Sequence, residues 1–170
     1  MDLDSILNNM EKASMTDKGS FFGPGLYLCE CKSLEYREGF KGRSFIAKFE
    51  VIESDNPDHG PGTTRSWIVK LDRADTKEMA MVDIKSLIFA LLGKSPRDVG
   101  SADKNPTAHK QAVALFKAQI DEASKAKFKA EYGIDAPDLR GRRVKLEATA
   151  TKSSKTGNDF TRHAWGPVAA

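Results

Sequence analysis

The side chains that could do covalent or metal chemistry are few in this chain and poorly spaced for it. Cys29 and Cys31 stand two apart in an alternating run, so both point to one face and neither meets the other at disulfide geometry; they read as small core residues. A zinc site needs further ligands at paired spacings, and His59, His109 and His163 are scattered. Asp55, Asp58, Asp72 and Asp75 fall near one another, yet acids near strand ends are common and their spacing is not that of a two-metal nuclease. The string GFKGRS is too short for a phosphate-cradling loop and precedes a strand where a helix is required. With no G-x-S-x-G elbow and no cysteine that has a plausible histidine partner, covalent catalysis has no candidate. What remains is binding without reaction, cofactor or metal.

Two stretches mix cations with aromatic rings. EYREGFKGR carries Tyr36, Arg37, Phe40, Lys41 and Arg43, and the stretch from TKSSKTGNDF onward carries Lys152, Lys155, Phe160 and Arg162. Single-stranded nucleic acid asks for that mixture, because cations follow the phosphates while bases stack on rings at roughly 1 to 3 kcal/mol per base. One lysine- and glycine-rich turn is ordinarily just a soluble turn, so the reading rests on two of them at corresponding ends of one fold. Between them Lys48, Arg65 and Lys70 are expected on the outer face of two strands. Trp67 shares a face with Val69 and Leu71 and reads as core, with a stacking platform as the alternative; Trp165 reads as packing.

The elements that must hold these residues follow from periodicity. Alternation predicts strands around Tyr27, Cys29 and Cys31, over Phe45 to Ile52, and over residues 63 to 72. The period then changes: Asp75 and Glu78 form a capping-box pair, and Met81, Ile84, Ile88 and Leu91 follow at helical spacing up to Gly93. After a polar connection, Pro106 opens a helix expected to run to about Tyr132, with Val113, Phe116 and Ile120 on its buried face and a lysine-rich end at 125 to 129. Two closing strands follow, around Val144 to Ala150 and over DFTRHAW. At the start, Leu3, Ile6, Leu7 and Met10 mark a short amphipathic helix over residues 2 to 14, which either docks on the fold or is held for a partner.

Three strands, helices and two strands is the order of the OB-fold, a five-stranded Greek-key barrel whose loops 1–2 and 4–5 flank the ligand groove. The expected class is therefore a β-barrel with helices (α+β): an N-terminal helix and linker over 1–23, and an OB-fold over 24–170 with a helical insertion at about 74–133. At 170 residues the chain has room for one core, and its net charge of +3 carries no weight as evidence for a polyanionic ligand. Without a run of eighteen apolar residues or a basic, greasy leader, the expectation is a soluble, cytoplasmic protein with no membrane partner.

The segments GPGLYLCECKSLEY, GRSFIAKFEVIES, GTTRSWIVKLD, DIKSLIFALLG and LRGRRVKLEATATKSSKTGNDFTRHAWGPV resemble the small OB-fold single-stranded DNA-binding proteins of tailed bacteriophages. The resemblance implies a protein that coats and protects exposed DNA strands in replication or recombination, alongside replication or recombination proteins. Many such proteins end in an acidic recruiting tail, whereas this chain ends HAWGPVAA. A reading of another class keeps the barrel as scaffold and makes the helices at 74–92 and 106–132 a protein-contact surface.

Overall fold

The computed structural model describes residues 21–40, 42–72, 77–152 and 159–168. The expected helix at 2–14, the capping residue Asp75, and Lys41 and Lys155 lie outside these. Five strands form one antiparallel sheet: β1 (Gly25–Gly39), β2 (Gly42–Ser54), β3 (Thr64–Lys70), β4 (Arg143–Lys152) and β5 (Asp159–Pro167), in the order β3-β2-β1-β4-β5. The helices α1 (Lys77–Leu91), α2 (Pro96–Val99), α3 (Pro106–Ile120) and α4 (Glu122–Tyr132) fall between β3 and β4. The chain is thus α+β, with the expected strand and helix order.

Alternation along β1 and β2 places Tyr27, Cys29 and Cys31 opposite the stretch ending at Val51 and Phe49, all buried. A register shift between Cys31 and Ser33 then makes Lys32 an extra residue, which re-phases β1 so that Leu34 faces Ala47 and Tyr36 faces Phe45 on the same side as the cysteines. Without that bulge the second half of β1 would turn its charged residues inward. Burial also pushes both cysteine thiols up to about 12, which leaves them inert at neutral pH.

The sheet is strongly curled. Four interstrand steps of about 4.8 Å would hold β3 and β5 some 19 Å apart in a flat sheet. Instead the Trp67 ring on β3 lies 6.0 Å from His163 and 5.2 Å from Trp165 on β5. A closed barrel was the expectation, and among the described residues no backbone ladder joins β3 to β5. The seam is filled by side chains instead. Phe21 forms a single parallel bridge to Ser66 on the free edge of β3. Phe22, only 3% exposed, meets Tyr27, Phe49, His163 and Trp165 with ring centroids 5.0 to 6.3 Å apart. The core therefore reaches back to Phe22, into the stretch expected to be linker.

Helix α1 packs on β5, β4 and β3 and buries Ile84, Leu87, Ile88 and Leu91. The helix expected from Pro106 to Tyr132 is two helices. Asp121 is extended (φ −148°, ψ 125°), and its carboxylate accepts from the Ala123 amide and the Ser124 hydroxyl, so it ends α3 and caps α4. The buried face of α3 is also turned by about one residue: Ala112, Leu115 and Ala118 are buried, Phe116 and Ile120 half-buried and Val113 exposed. Small alanines bring α3 closer to its neighbours than the larger side chains would allow.

Replacing Phe22 by Ala is expected to destabilise the fold by about 3 kcal/mol, the magnitude of a buried Phe truncation. A urea titration of the full chain checks this. A loss below about 0.5 kcal/mol would match a linker residue and remove Phe22 from the seam.

Candidate nucleic-acid interface

The β1–β2 ladder ends at the pair Gly39 and Gly42, with Phe40 just beyond it. Its tip is held from β3. The Asp72 carboxylate, two residues past the end of β3, accepts from the Arg43 backbone amide and takes the Arg43 guanidinium at Nε (2.9 Å) and Nη2 (2.7 Å). Gly42 makes this latch possible, with φ +109° and space so tight that a Cβ would sit 2.8 Å from Asp72 Oδ2. Beyond the latch Phe40 is fully exposed. Tyr36 is about one-third exposed, and its hydroxyl donates to Glu38 at 2.7 Å, a bond that raises the phenol above its usual range.

Along the outer face of β1 and β2, cations and carboxylates pair. Glu35 takes Arg37 at 3.0 Å and Lys48 at 3.6 Å, while Lys32 lies between Glu30 and Glu50. Three of the expected binding cations, Arg37, Arg43 and Lys48, thus already hold carboxylates. These pairs are substantially exposed, so opening one costs at most about 1 kcal/mol. A phosphate can displace them.

Register settles the residues on β3. Lys48 faces Ser66 and Ser44 faces Lys70, which places Lys48 and Lys70 on the outer face. Arg65 faces Phe49 and Trp67 faces Ala47, so Arg65 shares the inner face with Trp67 and does not project outward as expected. The reason is parity: residues 65 and 70 are an odd number apart and cannot share a face of a regular strand. Trp67, 6% exposed, is core rather than platform, and Trp165 is core too. Between Lys48 and Lys70 the outer face carries Ile46, facing Ile68. Ile46 is buried and Ile68 half-buried, an apolar strip that the sequence reading passed over although both sit at outward positions of adjacent strands.

The second expected loop is placed differently. Strands β3 and β5 each run antiparallel to a strand that is itself antiparallel to β1, so they are parallel. The β4–β5 turn consequently lies at the end where β3 begins, and the β1–β2 turn at the end where β3 finishes. The two turns do not sit at corresponding ends; the roughly 20 Å length of β3 separates them. In register Lys152 pairs with Asp159 and Phe160 with Thr151. Arg162, opposite Thr149, is exposed and lies within electrostatic reach of Asp83 on α1, whose carboxyl is raised by burial and lowered in part by that arginine. Residues 36–43 and Lys48 therefore form one cluster, with Arg162 apart from it.

An open groove of about 710 Å³ lies elsewhere, over β1, β4 and β5, and is lined by Leu26, Leu28, Glu53, Asp55, Lys145 and Glu147 among others. Three carboxylates against one lysine make it unsuited to a phosphate chain. No protein-family model matches the chain, and no curated protein matches it. Among the described residues no helix is long and apolar enough to cross a membrane.

His163, packed among Phe22, Trp67 and Trp165, has its imidazole pushed by burial from 6.5 down to about 4. The unfolded chain takes up this proton below pH 6.5, whereas the folded protein resists it until about pH 4. Stability is therefore full above pH 6.5 and declines as the pH falls towards 4. Urea titrations are expected to show the native chain losing on the order of 3 kcal/mol more than His163→Phe between pH 7 and pH 4. Parallel pH profiles would mean that His163 is hydrated in the folded state.

Proposed function

We propose that this chain is a sequence-tolerant single-stranded DNA-binding protein with OB-type topology, which coats and protects exposed strands in phage replication or recombination and catalyses no reaction. The order β3-β2-β1-β4-β5, with helices between β3 and β4, supports the topology: it is the OB order with the seam between strands 3 and 5 left open. The observation that carries the function is Phe40, a fully exposed aromatic ring at the tip of a hairpin that Asp72 holds in place.

A large apolar ring exposed at a hairpin tip gains nothing from the fold it decorates, whereas a base stacked on it removes both faces from water. Arg37 and Arg43 stand at the base of the same tip, and Lys48 and Lys70 border the Ile46–Ile68 strip along the next two strands. A strand entering at Phe40 would exchange the carboxylates on Arg37 and Lys48 for phosphates and lay a base beside the half-buried Ile68. Contacts of this kind read backbone charge and ring faces, so they tolerate any sequence.

Fluorescence titration of the full chain with a thirty-nucleotide oligo-dT at low salt is the direct test, with oligo-rU and duplex DNA as comparators. Binding to dT is expected to weaken steeply as salt rises, because displaced counterions accompany every phosphate contact. Phe40→Ala is expected to weaken dT binding by about 1 to 3 kcal/mol while leaving the melting temperature unchanged. Absence of binding at low salt, or equal binding by the Phe40→Ala variant, overturns the proposal.

A further inference from the structure

Helices α1 and α3 leave a cleft of about 280 Å³ between them, with Met81, Ile84, Val113 and Phe116 among its walls and Lys85 and Lys117 on its rim. Met81 and Val113 are 39% and 41% exposed, so the apolar faces of two adjacent helices meet the cleft with no cover among the described residues. Apolar surface on neighbouring elements, bordered by charge, marks a docking site rather than scattered surface residues.

We infer that the segment 2–14 of the same chain seats in this cleft as an amphipathic helix. Three observations name it as the occupant. Its apolar residues Leu3, Ile6, Leu7 and Met10 have the i, i+3, i+4, i+7 spacing by which a helix fills a groove. Its charge is complementary: Asp2, Asp4 and Glu11 precede its first cation, Lys12. The cleft's Lys85 contacts only the His109 Nδ1 at 3.2 Å, and neither Lys85 nor Lys117 holds a carboxylate among the described residues. The larger groove beneath Leu26 presents Glu53, Asp55 and Glu147 and would repel the same segment.

The third observation is reach. Phe21 bridges Ser66, the neighbour of Trp67. Phe116 on the cleft wall lies two ring contacts from Trp67 through the core, 6.0 Å from Trp67 to Phe45 and 5.1 Å from Phe45 to Phe116. Residues 15–20, at up to about 3.4 Å each, extend roughly 20 Å, a length of the same order as that separation. Helices this short are marginal in water by themselves, so the cleft would supply the stability the segment lacks. The inference stands apart from the nucleic-acid reading, because none of its residues belongs to the hairpin cluster.

Hydrogen exchange on the full chain tests it. Leu3→Asp/Leu7→Asp is expected to speed exchange of α1 and α3 amides roughly tenfold while the β1–β2 ladder is unaffected. Unchanged rates in α1 and α3 overturn the inference. As a second measurement, cysteines placed in turn at Leu3, Leu7 and Met10 are paired with Val113→Cys; the native Cys29 and Cys31 are fully buried and do not compete. A disulfide within one chain from any of the three positions supports the inference. Cross-links formed only between chains, or none at all, overturn it.

Discussion

The structure depends on the meeting of β3 and β5 through side chains where a barrel would use backbone. Trp67, His163 and Trp165 pack at ring separations of 5.2 to 6.3 Å, Trp165 stacks on Phe49 at 4.9 Å, and Phe22 covers the group. A backbone ladder would set this distance by hydrogen-bond geometry, whereas an aromatic seam sets it by volume. That makes the curl sensitive to the size of each ring. It also desolvates polar groups: the half-buried His163 imidazole stays neutral to low pH, and the Trp165 indole Nε1 is buried with no hydrogen-bond partner among the described residues. The gain in apolar burial has to exceed that penalty.

The curl determines what the outer face can do. The bulge at Lys32 turns the second half of β1 so that Glu35 and Arg37 face outward beside Lys48, and β3 carries Ile68 and Lys70 next to Ile46. The β1–β2 hairpin continues past the residues of β1 that pair with β4, so its tip needs an anchor of its own. Asp72 supplies it with one carboxylate that holds both a backbone amide and a guanidinium. Anchoring Arg43 restrains the hairpin beside Phe40, which lowers the entropy lost when a planar ligand stacks there.

The insertion between β3 and β4 is more than a long connection. Helix α1 belongs to the core, since its buried residues pack under β5 and β4. Helix α3 rests on α1 and β1, and the Asp121 break lets α4 fold back on α3 so that Phe128 is buried. Between α1 and α3 this packing leaves a cleft of about 280 Å³.

Element order, the inward identities of β1 and β2, the buried helix at 77–91 and the aromatic character of the hairpin tip were all legible from local pattern. Each follows from a period of 2 or 3.6 residues or from a turn, and these are properties of neighbours along the chain. The Asp121 break was written there as well, in an acid with capping geometry, but helical periodicity on both sides concealed it. Other features had no local signal. The inward turn of Arg65 follows from cross-strand register, the role of Phe22 from the open seam, and the pairing of Lys48 with Glu35 across two strands and of Arg43 with Asp72, 29 residues apart in sequence, from the sheet. The placement of the two basic turns at opposite ends of β3 follows from strand direction. Sequence patterning thus determined which residues are apolar, charged or exposed at a turn; only tertiary structure decided which of the charges already have partners, because that depends on distances between segments that periodicity does not relate.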